Sequence, residues 1–332
     1  MNNDFLAGGG ELGRLLREFD WTTTPLGSTD TWPQSLRMAL RIMLTSRQPM
    51  WIGWGSRLIF FYNDAYKSII GGRHPWALGR PASDVWREIW GEIGPMLDTA
   101  MRGDQGTYVE AQLLIMERNG YPEETYYTFS YSPIANDDGS VGGIICANTD
   151  DTQRVIGERQ LALLRDLATS LAHSRNRDEI CTRAACQLAS NPHDLPFAII
   201  YMPVEIDSDL HLAATSGFDL QSSSAPERLS LQEGSDWAAG DVLNARSPRI
   251  VSDLPPKFDG PIPRGPWPTA PDKAAVLPIG EGGRPGVLIV GLNPFRFFDE
   301  SYQSFLQLIA GQIAAAIANA QAYEEERLRA EA

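Results

Sequence analysis

Apolar and polar positions fall into different rhythms along this chain, and the changes of rhythm divide it. Residues 1–48 read as helical: 11–19 is a short amphipathic piece, and a turn follows at Thr24-Pro25-Leu26-Gly27. Pro33, placed as at a first helical position, opens a run in which Leu36, Leu40, Met43 and Leu44 share a face. Two short strands are expected at 49–54 and 58–62, on either side of Gly55-Ser56. Asn63 then caps NDAYKSII, and Ser83 reads as the cap of DVWREIWGEIGPMLDTAM, where Val85, Ile89, Ile93 and Leu97 step by four. Longer strands follow at 107–117, 124–133 and 141–148, the last two joined by the turn Asn136-Asp137-Asp138-Gly139. In the middle strand Tyr127, Phe129 and Tyr131 alternate with Thr128, Ser130 and Ser132, so one face is aromatic and the other polar.

Period-two alternation stops at DDTQRVIGERQLALLRDLATSLAH. Here Leu161, Leu164, Ala168 and Leu171 recur at alternating three- and four-residue steps, the seam of a two-helix coiled coil. The same stripe also suits a helix packed on its own domain. A second α/β stretch follows: a helix at 178–189, strands at 197–202 and 210–215, a short helix at 235–244 and a brief strand at 249–251. DLPPKFDGPIPRGPWPTAPDK holds seven prolines and reads as neither helix nor inner strand. A hairpin of 274–279 and 287–292 turns across EGGRPG, and Asp299 caps a last helix. Along it Tyr302, Leu306, Ile309, Ile313, Ala316, Ala320 and Tyr323 keep four- and three-residue steps, a second candidate seam.

At 332 residues the chain has room for two ordinary domains. A net charge of −14 argues against nucleic-acid partners, which demand a basic surface. No apolar run approaches the roughly 20 residues of a membrane span, and MNNDFLAGGGELG lacks the cationic start and apolar core of a signal peptide. With three scattered cysteines (Cys146, Cys181, Cys186) and no disulfide framework, the expected compartment is the cytoplasm.

Catalytic and cofactor chemistry is sparse. The chain has no phosphate-binding loop, no H-E-x-x-H and no paired C-x-x-C, so no metal site is expected. Gly8, Gly10 and Gly13 match G-x-G-x-x-G, but no strand precedes them, and they read as a flexible leader. His173 lacks the acidic residue that follows a phosphoacceptor histidine, and His74 lies in a loop ill-suited to ligate haem. Cys181 and Cys186 sit five apart on a helix, do not share a face, and read as buried small hydrophobes. Asp299-Glu300 echoes part of a cyclic-nucleotide motif, but the lysine is replaced around Asn293-Pro294, leaving Asp299 as a cap. No cofactor is expected.

The order of two strands, helices and three antiparallel strands, with YNDAY and Asp150-x-Thr152, resembles a PAS domain. WTTTPLGSTDTWPQSLR, FFYNDAYKSIIGGRHPWALGRP and YTFSYSPI are similar to the N-terminal PAS module of bacterial sensor histidine kinases. DLPFAIIYM, AAVLPIG, GVLIVGLNPFRFFDESY and the final helix resemble a GAF domain. The resemblance implies an α+β chain: a helical extension (1–48), a PAS domain of five antiparallel strands with helices on one side (49–150), a signalling helix (151–175), a GAF domain (176–322) and the start of a coiled-coil linker (323–332).

The expected function is a non-catalytic sensory and dimerisation fragment of a histidine kinase. A phosphatase, a cyclic-dinucleotide enzyme or a ligand-free scaffold are the alternatives. Aromatic density places a ligand pocket at Trp51, Tyr66, Trp86, Trp90, Tyr127, Phe129 and Tyr131, or a core those rings fill. The resemblance makes Asp150 and Thr152 the exit motif that ties strand to helix. The expected partners are a second copy, paired in parallel through Leu161, Leu164, Ala168, Leu171, Leu306, Ile309, Ile313, Ala316 and Ala320, and a downstream kinase or other output domain.

Overall fold

The two strand-rich stretches fold as separate units, with the break between Val155 and Ile156. The computed structural model describes residues 4–331 apart from 104, 205–206, 219–221, 233, 259 and 281–283.

In the first unit, helices α1 (Gly10–Glu18) and α2 (Gln34–Thr45) precede strands β1 (Met50–Trp54) and β2 (Ile59–Tyr62). Short helices α3 (Lys67–Ile70) and α4 (Ala82–Val85) lead to α5 (Trp90–Arg102), and β3 (Thr107–Met116), β4 (Glu123–Ala135) and β5 (Val141–Asp150) complete the sheet. The order is β2-β1-β5-β4-β3, and every pairing is antiparallel.

Alternation along β2 shows what covers each face. Phe60 packs on Trp51 and Trp86, while its neighbour Phe61 stacks on Trp21 at 4.9 Å and meets Trp32 at 5.6 Å. Helices therefore lie on both faces, not on one side as expected. Residues 4–48 are part of the core rather than an extension: Leu6, Leu12, Leu16, Trp21, Trp32, Leu36, Leu40 and Met43 are all buried in it.

Two distant carboxylates fasten this leader. Asp64 accepts the Glu11 and Leu12 amides at 3.0 and 2.9 Å, and Asp137 accepts those of Gln34 and Ser35 at 2.9 and 3.0 Å. Each meets the orphan donors at a helix start. The glycines expected to be flexible are instead a tight entry to α1. Gly10 has φ +56°, and a Cβ there would lie 2.0 Å from the Asp64 carboxylate. Pro33 is the residue before α2, one position earlier than read, and Ser83 lies inside α4 after Pro81. The single helix expected from Ser83 is interrupted between Val85 and Trp90. Asn63 does cap, its Oδ1 accepting the Tyr66 amide at 3.1 Å.

Helix α6 (Thr152–Leu171) starts in the first unit and continues into the second, which adds α7 (Arg177–Leu188), β6 (Ala198–Pro203), β7 (Leu210–Ser216), β8 (Arg228–Leu229) and α8 (Ala239–Ala245). Then come β9 (Arg249–Ser252), α9 (Leu254–Lys257), β10 (Lys273–Ile279), β11 (Gly286–Gly291) and α10 (Glu300–Glu331). Helix α9 lies within the proline-rich loop, where no helix was expected. Prolines at its first positions are tolerated because those amides have no helical acceptor anyway.

The second sheet runs β8-β7-β6-β11-β10-β9. Ile200, Leu277, Leu288 and Val290 face α6, α7 and α10, while Ile199, Tyr201, Val276 and Ile289 face the opposite layer with Trp237 and Phe258. Burial on both faces is why these strands read as unbroken apolar runs. By length and composition α10 is apolar enough to cross a membrane, unlike any stretch anticipated from the sequence. Its Tyr302, Phe305, Leu306, Ile309, Ile313 and Ile317 are buried on its own sheet.

Candidate sensory site

Strand β4 builds the wall of the first unit's interior cavity. Its period of two aims Tyr127, Phe129 and Tyr131 inward, Trp51 joins them from β1, Tyr66 from the turn that Asn63 caps, and Trp86 from the break before α5. These six of the seven expected residues meet there. Trp90 does not line the space: it sits half-buried at the start of α5, beside Gly94.

The rings largely fill their own pocket. Trp51 lies 5.8 Å from Tyr131, Phe129 5.0 Å from Tyr131, and Trp86 6.4 Å from Tyr66. About 20 Å³ remains, room for a single water and far below the roughly 300 Å³ at which organic ligand sites begin. Burial pushes the Tyr66, Tyr127 and Tyr131 hydroxyls and the Cys146 thiol above their ordinary values. All stay neutral near pH 7, and none is poised as a nucleophile or base.

One wall residue reaches out of the cavity. The Tyr127 hydroxyl donates to Asp150 Oδ2 at 3.2 Å and accepts from Arg118 Nη1 at 2.8 Å. Asp150 in turn accepts the Thr152 amide at 3.0 Å on its other oxygen, and Thr152 Oγ1 accepts the Tyr126 amide at 3.0 Å. Thr128 donates to Asp151 at 2.5 Å, and Arg118 is also paired with Glu123 at 3.2 Å. The expected pair Asp150 and Thr152 thus sits in a wider lattice that joins β4 to the first turn of α6. Arg118, Tyr126, Thr128 and Asp151 were not anticipated, because only the β4–β5 register, with Tyr127 opposite Asp150, brings them together.

His74 has both ring nitrogens engaged, by the Tyr62 hydroxyl at 2.8 Å and Glu11 at 3.2 Å, leaving neither for haem iron. Among the described residues no group of His, Cys, Asp and Glu could hold a metal ion. Cys146 and Cys181 are buried, but Cys186 is exposed, contrary to expectation.

The helical stripes fall differently from their expected roles. On α6, Leu161 is 69% exposed, Leu164 is half-buried and Ala168 is exposed, whereas Leu171 turns inward with Leu163 and Leu167. On α10, Leu306, Ile309, Ile313 and Ala320 are buried in their own unit and Ala316 packs at its margin. Leu171 and the α10 positions are thus taken up by their own unit, whereas Leu161, Leu164 and Ala168 are left at the surface. A sheet face offers more apolar area than one partner helix, so the richest stripe of α10 goes to the sheet. Its outward side carries Leu308, Gly311, Ala315 and Ala318 instead.

Residues 57–156 match the family model described as PAS fold, and residues 174–318 match that of the GAF domain. The chain carries a PAS domain followed by a GAF domain. No curated protein matches it. Among solved structures, the GAF domain of a phosphoenolpyruvate-protein phosphotransferase from Coxiella burnetii is 22% identical, covers 50% of this chain and 96% of its own, and gives a TM-score of 0.39. The GAF domain of the Acinetobacter phosphotransferase is 21% identical over 49% of this chain and 95% of its own, with a TM-score of 0.37. The photosensory core module of a Stigmatella aurantiaca phytochrome is 13% identical over 86% of this chain and 60% of its own, also at 0.37. PAS and GAF domains in this order form a sensory module typical of signal-transduction proteins.

Proposed function

We propose that this PAS–GAF chain is the cytoplasmic sensory and dimerisation segment of a bacterial signalling protein, with a histidine kinase as its output. The single observation that carries the sensory reading is Tyr127: its ring is part of the cavity wall and its hydroxyl is part of the lattice holding the start of α6. A rearrangement of the rings would change the Tyr127–Asp150 contact and bias the helix between two states. Support for the kinase comes from the resemblance of roughly residues 10–155 to kinase PAS modules; a phosphatase or cyclic-dinucleotide enzyme would use the same device. The small remaining space favours a cavity plugged by side chains over one holding an organic ligand in this state.

Partnering with a second copy in parallel is part of the same reading, through Leu161, Leu164 and Ala168 of α6 and Leu308, Gly311, Ala315 and Ala318 of α10. Tyr127→Phe tests the transfer step, since it keeps the ring and deletes the hydroxyl. Hydrogen exchange should quicken at residues 150–156 and stay unchanged at β6 and β11. Unaltered exchange at 150–156 would remove Tyr127 from the signal path.

A further inference from the structure

A fully buried carboxylate in the GAF unit has no part in the site above. Asp194, in the loop between α7 and β6, is 0% exposed. Arg159 of α6 grips both its oxygens, Nη2 to Oδ1 at 2.6 Å and Nε to Oδ2 at 2.9 Å. Arg296, from the loop that leads into α10, reaches Oδ1 at 3.2 Å, and Asn191 Nδ2 reaches Oδ2 at 2.9 Å. The main chain of the same residue is also engaged, because the Tyr302 hydroxyl donates to the Asp194 carbonyl. Tyr302 lies in the first turn of α10, accepts the Asn293 amide at 3.1 Å, and carries Arg296 over its ring at 4.4 Å.

We propose that Asp194 is a positioning residue that clamps the incoming helix α6 directly to the first turn of the outgoing helix α10. A surface ion pair would tolerate sliding, because water replaces lost contacts. A buried one does not: with either arginine drawn away, the fully buried Asp194 charge keeps only part of its compensation, so the bidentate geometry resists small shifts. Side chain and carbonyl of one residue hold the two helices, so a displacement of α6 reaches α10 through this loop without deforming the sheet. The inference builds on the signalling role proposed above, but every residue in it lies in the second unit.

Hydrogen exchange on the full chain with Arg159→Lys tests the clamp. Lysine keeps the charge and loses the two-pronged grip. Exchange should accelerate at 156–163 and also, roughly tenfold as for one lost charged hydrogen bond, at 300–307, which residue 159 is not required to touch. Because coupling is reciprocal, Tyr302→Phe should loosen 156–163 in return. Arg165→Lys, on the same helix but exposed, should change neither segment. Acceleration at 156–163 with 300–307 unchanged would overturn the clamp, as would uniform acceleration that includes β6 and β11, which would report lost stability alone. Tyr127→Phe reads a separate step, so a negative result there sinks the sensory reading and leaves this test intact.

Discussion

Ile313→Asp and Leu161→Asp introduce the same charge on two helices of the GAF unit and should have opposite consequences. Ile313 is fully buried against the sheet. Truncating such a side chain costs about 2–5 kcal/mol through lost transfer energy and a cavity. An unpaired carboxylate in its place adds several kcal/mol more, about the whole ~5–15 kcal/mol stability of a domain. Ile313→Asp should therefore unfold the GAF unit rather than yield a folded monomer. Leu161 is 69% exposed, and a change there should move the stability of an isolated chain by no more than about 0.5 kcal/mol. In a two-fold dimer it is replaced twice, and each buried leucine contributes about 1.5–3 kcal/mol. Leu161→Asp should thus weaken association by about 3–6 kcal/mol, or roughly 10²–10⁴ in Kd, with an unchanged melting temperature at concentrations where both forms are monomeric. Light scattering against concentration, paired with thermal melts by circular dichroism, reads both quantities. A folded, monomeric Ile313→Asp would refute the assignment of that stripe to the sheet. A Leu161→Asp that stays as dimeric as wild type would refute the outward seam.

Two further outcomes concern stability. Asp64→Ala removes the acceptor of the Glu11 and Leu12 amides and should cost the first unit about 1 kcal/mol, as lost helix caps do, read as a lower midpoint in urea. For Asp194, burial works to raise the carboxyl, but Arg159, Asn191 and Arg296 outweigh it and hold it below the ordinary value. A folded value below the unfolded one gives stability that is present above the unfolded pKa of about 3.9 and lost as pH falls through the folded value. The GAF unit should therefore weaken in acid below about pH 4, and Asp194→Asn should flatten that part of the urea-midpoint profile. An unchanged acid slope in Asp194→Asn would assign the loss to other carboxylates.

The sequence alone determined most of the strands and helices and that both units are α+β, because apolar period and turn chemistry are local properties, but it missed β8, α9 and the break between α4 and α5. The alternation Tyr127, Phe129, Tyr131 specified an aromatic wall, and Asn63 and Asp299 were legible as caps because a cap bonds an amide three residues away. What lay beyond local reach was decided by tertiary structure. The leader reads as an appendage until Trp21 and Trp32 are seen on Phe61, and no local signal links Asp64 or Asp137 to helices dozens of residues away. A three-four stripe states that a helix has an apolar side, not what covers it. Packing settled that the α10 stripe faces its own sheet, since burying it there removes the most apolar surface from water. Asp194 illustrates the same limit. In the sequence it is an aspartate in an ordinary loop, and only the convergence of α6, that loop and the approach to α10 places two arginines around it.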